Sequence, residues 1–270
     1  MSRLRQRVGL ALVLLPLLLW ALSLGAGYEV VTDVHPALAS LRPQSGHIMG
    51  TDHLGRDVFW RWVTASESFV GPGLLACAVA LLLGLPGGAI SGYLGGPVAS
   101  AIRLAFASAA ALPRFVLVLL ACAAFGSEVG ILAIAAGVAY APTLAEALYT
   151  RLESFRHAGF VLAARAHGLS HLRVLLHHLL WVNCRRLLLR HALMLFAYFL
   201  LLETTLSYIG GLDGAGSFGV AEPQPSWGNM IAFEWRQPES NPWATLAPAL
   251  ATFAVLLGAS WVSDDLKERA

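Results

Sequence analysis

Apolar residues along this chain fall in blocks of about twenty rather than in short periodic stripes, the length a helix needs to cross a hydrocarbon core at about 1.5 Å per residue. Such blocks stand near 8–27, 69–90, 104–125, 129–148, 187–209 and 243–263. Polar segments separate them at 28–68, 91–103, 149–186 and 210–242, and a charged tail follows at 264–270. The pattern predicts an all-α integral membrane protein with six transmembrane helices. Composition agrees: 57% of the residues are hydrophobic and only 13% charged, where a soluble chain would carry roughly a quarter charged. Secreted disulfide scaffolds, nucleic-acid binders and cytosolic enzymes are therefore excluded, and the lipid bilayer is the first partner. Cys77, Cys122 and Cys184 cannot pair completely, and no disulfide is expected.

Charge placement predicts the orientation. If the N-terminus is cytoplasmic, the inner segments hold Arg3, Arg5, Arg7, Arg103, Arg151, Arg156, Arg165, Arg173, Arg185, Arg186, Arg190, Lys267 and Arg269, and the outer segments only Arg42, Arg56, Arg61 and Arg236. That excess of inner positive charge puts both termini and the 149–186 segment in the cytoplasm. Arg3, Arg5 and Arg7 before the first block, with Gly25, Ala26 and Gly27 after it, also suit a secretory signal. The block is longer than the roughly 7–15 residues of a signal core, so a retained first span is expected.

Small residues recur every four positions through the second block, at Ala76, Ala80, Gly84, Gly88, Gly92 and Gly96. Helices in lipid associate by close packing, and such a ridge predicts a helix-packing face. Arg114 and Glu203 fall within apolar blocks, where a charge costs about 2.5–3.5 kcal/mol on insertion scales. Arg114 follows Pro113, and is expected either to line a pathway or to begin a displaced helix and reach an interface. Glu203 is a second candidate pathway residue, though its place near the end of the fifth block suits a carboxylate hydrated at the outer mouth.

The 149–186 segment mixes small and basic residues and reads as helix, break, helix, with Ala163, Ala164 and Ala166 favouring the first piece and Gly168 the break. His167, His171 and His178 share a helix face at offsets of four and seven, which superficially suits a metal. No HExxH accompanies them and the strip is rich in Arg, so histidines at a solvated or protein interface are expected, with a metal-dependent intramembrane enzyme as the alternative of another class. The single lysine, Lys267, precludes a P-loop, and there is no GxSxG elbow, so no catalytic residues are expected and any energy source must be a partner.

Three stretches carry a resemblance. They are GTDHLGRDVFWR at 50–61, AARAHGLSHLRVLLHHLL at 163–180, and ETTLSYIGG from Glu203 with PQPSWGNM at 223–230. Together these resemble the permease subunits of dipeptide, oligopeptide and nickel ABC importers, specifically the second permease of the pair. The resemblance implies a type I permease bundle in the bacterial inner membrane. Its implied partners are a second homologous permease, two cytoplasmic ATPase subunits that bind the ATP and magnesium, and an extracytoplasmic solute-binding protein. It further implies a cytoplasmic coupling helix with Ala163, Ala164, Arg165, Gly168 and Leu169 at the ATPase contact. Gly50, Thr51, Asp52, Gly55, Arg56 and Asp57 match the outer motif and are expected to form an ordered turn. Pro225, Ser226, Trp227, Gly228 and Asn229 are expected to form a structured outer loop. The sequence departs from the family pattern at Leu162, where Glu is usual, at Trp181, where Pro is common, and at Phe106, where Asp is frequent.

The expected organisation is one transmembrane permease domain over 1–270. It comprises the N-terminal end and first span (1–27), an outer loop (28–68), spans two to four (69–148), the coupling segment (149–186), spans five and six (187–263, with outer loop 210–242) and the tail (264–270). The expected function is import of peptides or related small solutes by alternating access, or of nickel or a metal chelate, with no enzymatic activity, cofactor or metal site in this chain.

Overall fold

The computed structural model describes residues 3–25, 31–213, 224–235 and 241–268. Ala26 and Gly27, Pro223, Arg236 and Arg269, all used above, lie outside the described residues. Helices account for most of what is described: α1 (Arg3–Ser23), a 3-10 turn (Pro36–Leu38), α2 (Val58–Thr64), α3 (Glu67–Leu94), α4 (Gly96–Ala110), α5 (Arg114–Phe125), α6 (Val129–Phe155) and α7 (Gly159–Ala166). After these come a single turn, α8 (His171–Arg173), a π-helical stretch (Val174–Cys184), α9 (Arg185–Asp213), α10 (Trp227–Glu234) and α11 (Pro242–Glu268).

Among the described residues, five stretches are long and apolar enough to cross a bilayer: Leu4–Ser23, Val58–Leu94, Val129–Phe155, His171–Gly210 and Pro242–Glu268. The third span is the exception. Instead of one helix over 104–125, Gly96–Ala110 and Arg114–Phe125 meet at 78°. Pro113 explains the break, because it has no N–H for the preceding turn and its ring pushes the residue before it out of helical geometry. Helices also extend beyond the apolar blocks: α3 and α4 occupy most of 91–103, and only 156–158 and 167–170 interrupt helix between Val129 and Asp213. Polar residues end a span's contact with lipid without ending its hydrogen-bonded ladder.

The centre of the bundle is the α3–α6 pair. At Gly84, Gly88 and Gly92 an added Cβ would lie 2.7, 2.5 and 3.0 Å from the carbonyl oxygens of Ala141, Ala145 and Tyr149, and Gly137 of α6 lies equally close to the Ala76 carbonyl. Main chain packs on main chain here, which only small residues permit. Gly96 does not belong to that face. The helix ends at Leu94, Gly95 and Gly96 both take positive φ, and Gly96 faces open space. A second close pair joins α1 to α11, where Gly258 abuts Leu12 and the Gly9 carbonyl.

Among the described residues two large apolar clusters fill the bundle, beside a smaller one of Cys77, Ala80, Tyr140 and Leu195. One gathers Phe69, Val118, Leu132, Phe199, Leu206, Trp227 and Val255. The other, towards the opposite end, gathers Tyr93, Leu148, Leu152, Val161, Val174, Leu179 and Cys184. All three cysteines are free and buried.

Candidate functional site

Polar residues concentrate at three places: a groove along one side of the bundle, the compact 50–57 end, and the 156–171 end opposite it. The groove lies among α4, α6 and α9 and encloses about 780 Å³. Its wall includes Thr143, Glu146 and Thr150 from successive turns of α6, facing Arg190 and His191 of α9. Spacings of three and four bring the α6 residues onto one face. The Tyr140 hydroxyl meets His191 Nδ1 at 3.2 Å, and Arg190 Nε donates to Ser263 Oγ of α11 at 3.0 Å. Arg114 stands at the first turn of α5, exposed, with its guanidinium 5.3 Å from the Tyr140 ring centre and 5.4 Å from that of Tyr198. The break at Pro113 therefore starts a helix with a cation laid on two aromatic faces, an arrangement that offsets part of the cost of its charge. Arg114 thus begins a displaced helix, but it stacks on protein instead of reaching outward.

Glu203 does not stand in water. It is fully buried, its Oε1 accepts from Ser207 Oγ at 2.8 Å, and the hydroxyls of Ser68 and Ser226 face the same carboxyl. The cause is α10, which folds back over this part of α9: the Gly228 main chain lies against Thr204, Ser207 and Tyr208 with no room for a Cβ. The 225–229 stretch is the start of that helix. Ser226 Oγ accepts from Asn229 N at 3.1 Å while Asn229 Oδ1 accepts from Ser226 N at 3.0 Å, a reciprocal cap that satisfies two otherwise orphaned donors. Pro225 precedes this cap. Trp227 Nε1 donates to the Trp62 carbonyl at 3.1 Å, and its ring rests 4.6 Å from that of Phe69.

The 50–57 motif forms a closed knot beside it. Asp52 Oδ1 accepts from the Leu54 and Arg56 main-chain N–H groups, both at 2.9 Å, while Oδ2 takes Arg56 Nε at 2.7 Å and Arg61 Nε at 3.4 Å. Arg56 and Arg61 are both buried, and Arg61 also donates to the Val31 carbonyl at 3.1 Å. Thr51 accepts from Leu41 N at 2.9 Å and donates to the Leu38 carbonyl. Asp57 caps α2 by accepting from Trp60 N, and takes His47 Nδ1 at 2.7 Å. Gly50 and Gly55 have φ of +74° and +82° and lie against the main chain of Leu41 and His35, so both positions need glycine. Asn241, just before α11, donates to the carbonyls of Met49 and Thr51 at 2.8 and 3.0 Å.

One bridge in this region has no sequence signal. His53 offers both its main-chain N–H and its ring Nδ1 to Glu234 Oε1, at 3.0 and 2.6 Å, across 181 positions of chain. The buried Glu234 carboxylate, chiefly through that hydrogen bond, raises the His53 pKa above its ordinary value although partial burial opposes it. Asp52, His53 and Glu234 are the one group among the described residues whose donor atoms come close enough for a metal. With Asp52 already filled by two arginines and two N–H groups, the arrangement is an ion-pair network, and those guanidinium groups would repel a cation.

At the opposite end, Ala163, Ala164 and Arg165 lie on α7, Gly168 ends it with φ of +82°, and Leu169 begins the next turn. Ala163, Arg165 and Gly168 are exposed. The shared histidine face is not formed. Gly168 breaks the helix between His167 and His171, and π-winding shifts the phase before His178, which pairs its ring with His177. His171 instead meets Tyr93 Oη of α3 through Nδ1 at 3.0 Å and Arg165 through Nε2 at 3.0 Å. Arg156 reaches back to donate to the Gly92 and Ser91 carbonyls at 2.8 and 3.4 Å. Sequence spacing revealed none of these contacts: Tyr93–His171 and Arg156–Gly92 join residues 78 and 64 positions apart, and Arg165–His171 spans the break at Gly168.

Residues 84–269 match the family described as binding-protein-dependent transport system inner membrane component. The chain is 28% identical to the dipeptide transport system permease protein DppC of Alkalihalophilus pseudofirmus, over 87% of this chain and 75% of that protein. It is 29% identical to the nickel transport system permease protein NikC of Escherichia coli, over 84% and 79%. It is 30% identical to a putative peptide transport system permease protein of Brucella suis, over 99% and 88%. Among solved structures, a chain of the inward-facing MetNI methionine ABC transporter superposes with a TM-score of 0.56 at 13% identity, covering 77% of this chain and 97% of that one, a likeness of fold. The helical bundle with one broken span, its close-packed centre and the match over 84–269 converge: this chain belongs to the family of inner-membrane components of binding-protein-dependent transport systems, the permeases of ABC importers.

Proposed function

We propose that this chain is one of two permeases of an ATP-driven importer, that the groove among α4, α6 and α9 is its half of the solute path, and that it moves peptides or related small solutes. The observation that carries the reading is the groove itself. Glu146, Thr150, Arg190 and His191 stand on membrane-spanning helices yet line this groove, open to one side of the bundle. Facing hydrocarbon, such charges are costly, so this side must be met by another polypeptide or by water. A second, similar permease set against it would close the groove into a central passage. Carboxylate and guanidinium groups across one passage suit a solute that carries both signs of charge, as a peptide does. A nickel chelate is the alternative cargo, favoured by the likeness to a nickel permease.

In this reading the positive-inside bias places the 156–171 end in the cytoplasm, where α7 meets an ATPase subunit through Ala163, Ala164, Arg165, Gly168 and Leu169. ATP and magnesium belong to that subunit. The knot at 50–57 and the capped helix at 225–229 face the other side, where a solute-binding protein would dock. ATP binding draws the coupling helices together and the paired bundles rock between outward-open and inward-open states.

Purifying the tagged chain in mild detergent from its native membrane, with mass spectrometry of what is retained, tests the assembly. Recovery of a second permease with ATPase subunits is expected; recovery of this chain alone would overturn the reading. Uptake of a radiolabelled dipeptide against radioactive nickel by cells with and without the chain then separates the two cargoes.

A further inference from the structure

Three elements converge on one imidazole. Tyr93 stands one residue before the end of α3, Arg165 lies on α7, and His171 opens the helix that runs on into α9. His171 Nε2 is 3.0 Å from an Arg165 guanidinium nitrogen, and its Nδ1 is 3.0 Å from the Tyr93 hydroxyl. A guanidinium can only donate, so Nε2 must be the bare acceptor nitrogen. The proton then sits on Nδ1 and is donated to Tyr93 Oη. This geometry holds only for the neutral ring in one tautomer, because a protonated ring would turn an N–H towards the arginine.

The same turn of α3 is held a second time, by Arg156 on the carbonyls of Gly92 and Ser91. Arg156 directly, and Arg165 through the neutral His171 ring, thus tie the last turn of α3, whose Gly84, Gly88 and Gly92 pack directly on α6, to the segment around α7. That segment is otherwise exposed over much of its length. The groups facing the imidazole are Tyr93 from α3 and Arg165 from α7. Further titratable or charged residues on the converging elements include Tyr149, Arg151, Glu153, Arg156 and His157 around the end of α6, His167 at the end of α7, Arg173 within α8, and His177 and His178 in the π-helical stretch.

We propose that His171 is a positioning residue that transmits movement of α7 to α3 and α9 through the Arg165–His171–Tyr93 chain, and that protonating it disconnects the two. This rests on the importer reading, in which α7 is the part of the chain the ATPase moves. A push on α7 passes through Arg165 to the ring, from the ring to the end of α3 and, along the chain, into the helix that forms one wall of the groove. Acidification removes the Nε2 acceptor and sets two cations against each other, so the drive is lost on the cytoplasmic side at low pH.

The test uses the co-purified assembly in lipid vesicles, with Thr143→Cys in the groove as the reporter. The native thiols are all buried, so a water-soluble maleimide reads this position. ATP should change the labelling rate; the response is the ratio of the rates with and without ATP, which cancels the thiol's own dependence on pH, and ATP hydrolysis is measured in the same vesicles. When the vesicles are acidified from about pH 8 to about pH 5.5, this response per ATP hydrolysed should fall about fivefold, the scale set by the net worth of one ordinary hydrogen bond. His171→Gln offers an amide oxygen to Arg165 and an amide N–H to Tyr93 and cannot titrate; it should keep the response and flatten its pH profile. Arg165→Ala and Tyr93→Phe should each lower the response per ATP at every pH. If the parent assembly binds no ATPase or shows no ATP-dependent labelling, the importer reading itself fails. If the parent responds but His171→Gln keeps the parent's pH profile, or Arg165→Ala keeps the full response per ATP, the relay is wrong.

Discussion

The two ends of the bundle are built in opposite ways from similar materials. At the 50–57 end, buried arginines, a saturated aspartate and carbonyls held by Asn241 knit segments far apart in sequence into a closed unit. At the 156–171 end the polar links are few, and Arg165, His171 and Gly168 stand exposed. A buried ion-pair network fails as a whole when one member is removed, whereas an exposed contact is worth little to stability and can be made and broken at small cost. The comparison separates a fixed frame from a movable lever within one chain.

Breaking the frame should have the largest effect. Asp52→Ala leaves Arg56 and Arg61 buried without their carboxylate, a change that typically costs about 3–5 kcal/mol. The unfolding midpoint of the purified protein in detergent should drop by about 10 °C. Two glycines then sharpen the contrast, because Gly55 and Gly168 share a φ of +82° but not their surroundings. A Cβ on Gly55 would run into the His35 main chain, while one on Gly168 meets nothing within 4 Å. Gly168→Ala should cost only the roughly 1–2 kcal/mol of left-handed backbone, and Gly55→Ala more than that, read by the same melts. Asn241→Ala strips a donor from the Met49 and Thr51 carbonyls and should cost about 1–3 kcal/mol, with faster amide hydrogen exchange confined to the 50–57 end.

The smallest effect is the pH dependence of the His53–Glu234 bridge. The folded-state pKa of His53 lies above its ordinary 6.5, so the stabilisation is complete below that ordinary value and is lost as pH rises through the raised one. Melting should fall by about 1–2 °C between about pH 6 and about pH 8.5, and His53→Gln should remove the slope. An unchanged slope in that variant would assign the effect to other groups.

How much of this was legible beforehand follows from the range of the interactions. The spans were readable because their apolar runs report the bilayer directly, and Gly84, Gly88 and Gly92 were readable as a packing face because the period lies within one helix. Gly96 was misplaced by the same rule, since four-residue spacing continues past a helix end that only the positive φ at Gly95 and Gly96 reveals. Pro113 announced a break but not its 78°. Glu203 looked wet because nothing local shows that α10 folds back across it, and His53 drew no notice because its partner is 181 positions away. The histidine face failed for the reverse reason: a helical wheel assumes a helix, and Gly168 interrupts it.

The π-helical stretch at Val174–Cys184 has a consequence for how this chain tolerates change in length. An α-helix into which a residue is inserted absorbs the surplus as a wide turn, and such turns gather at functional places. Deleting one residue between Val174 and Cys184 should therefore not break the helix: the wide turn tightens to α-winding and the parts on either side keep their mutual orientation, whereas a deletion in the α-wound part of α9 would rotate what precedes it by about 100°, the angle one residue subtends. Only the second would swing His171 off Tyr93. The stretch is slack in length, able to give up a residue without turning one end of the molecule against the other.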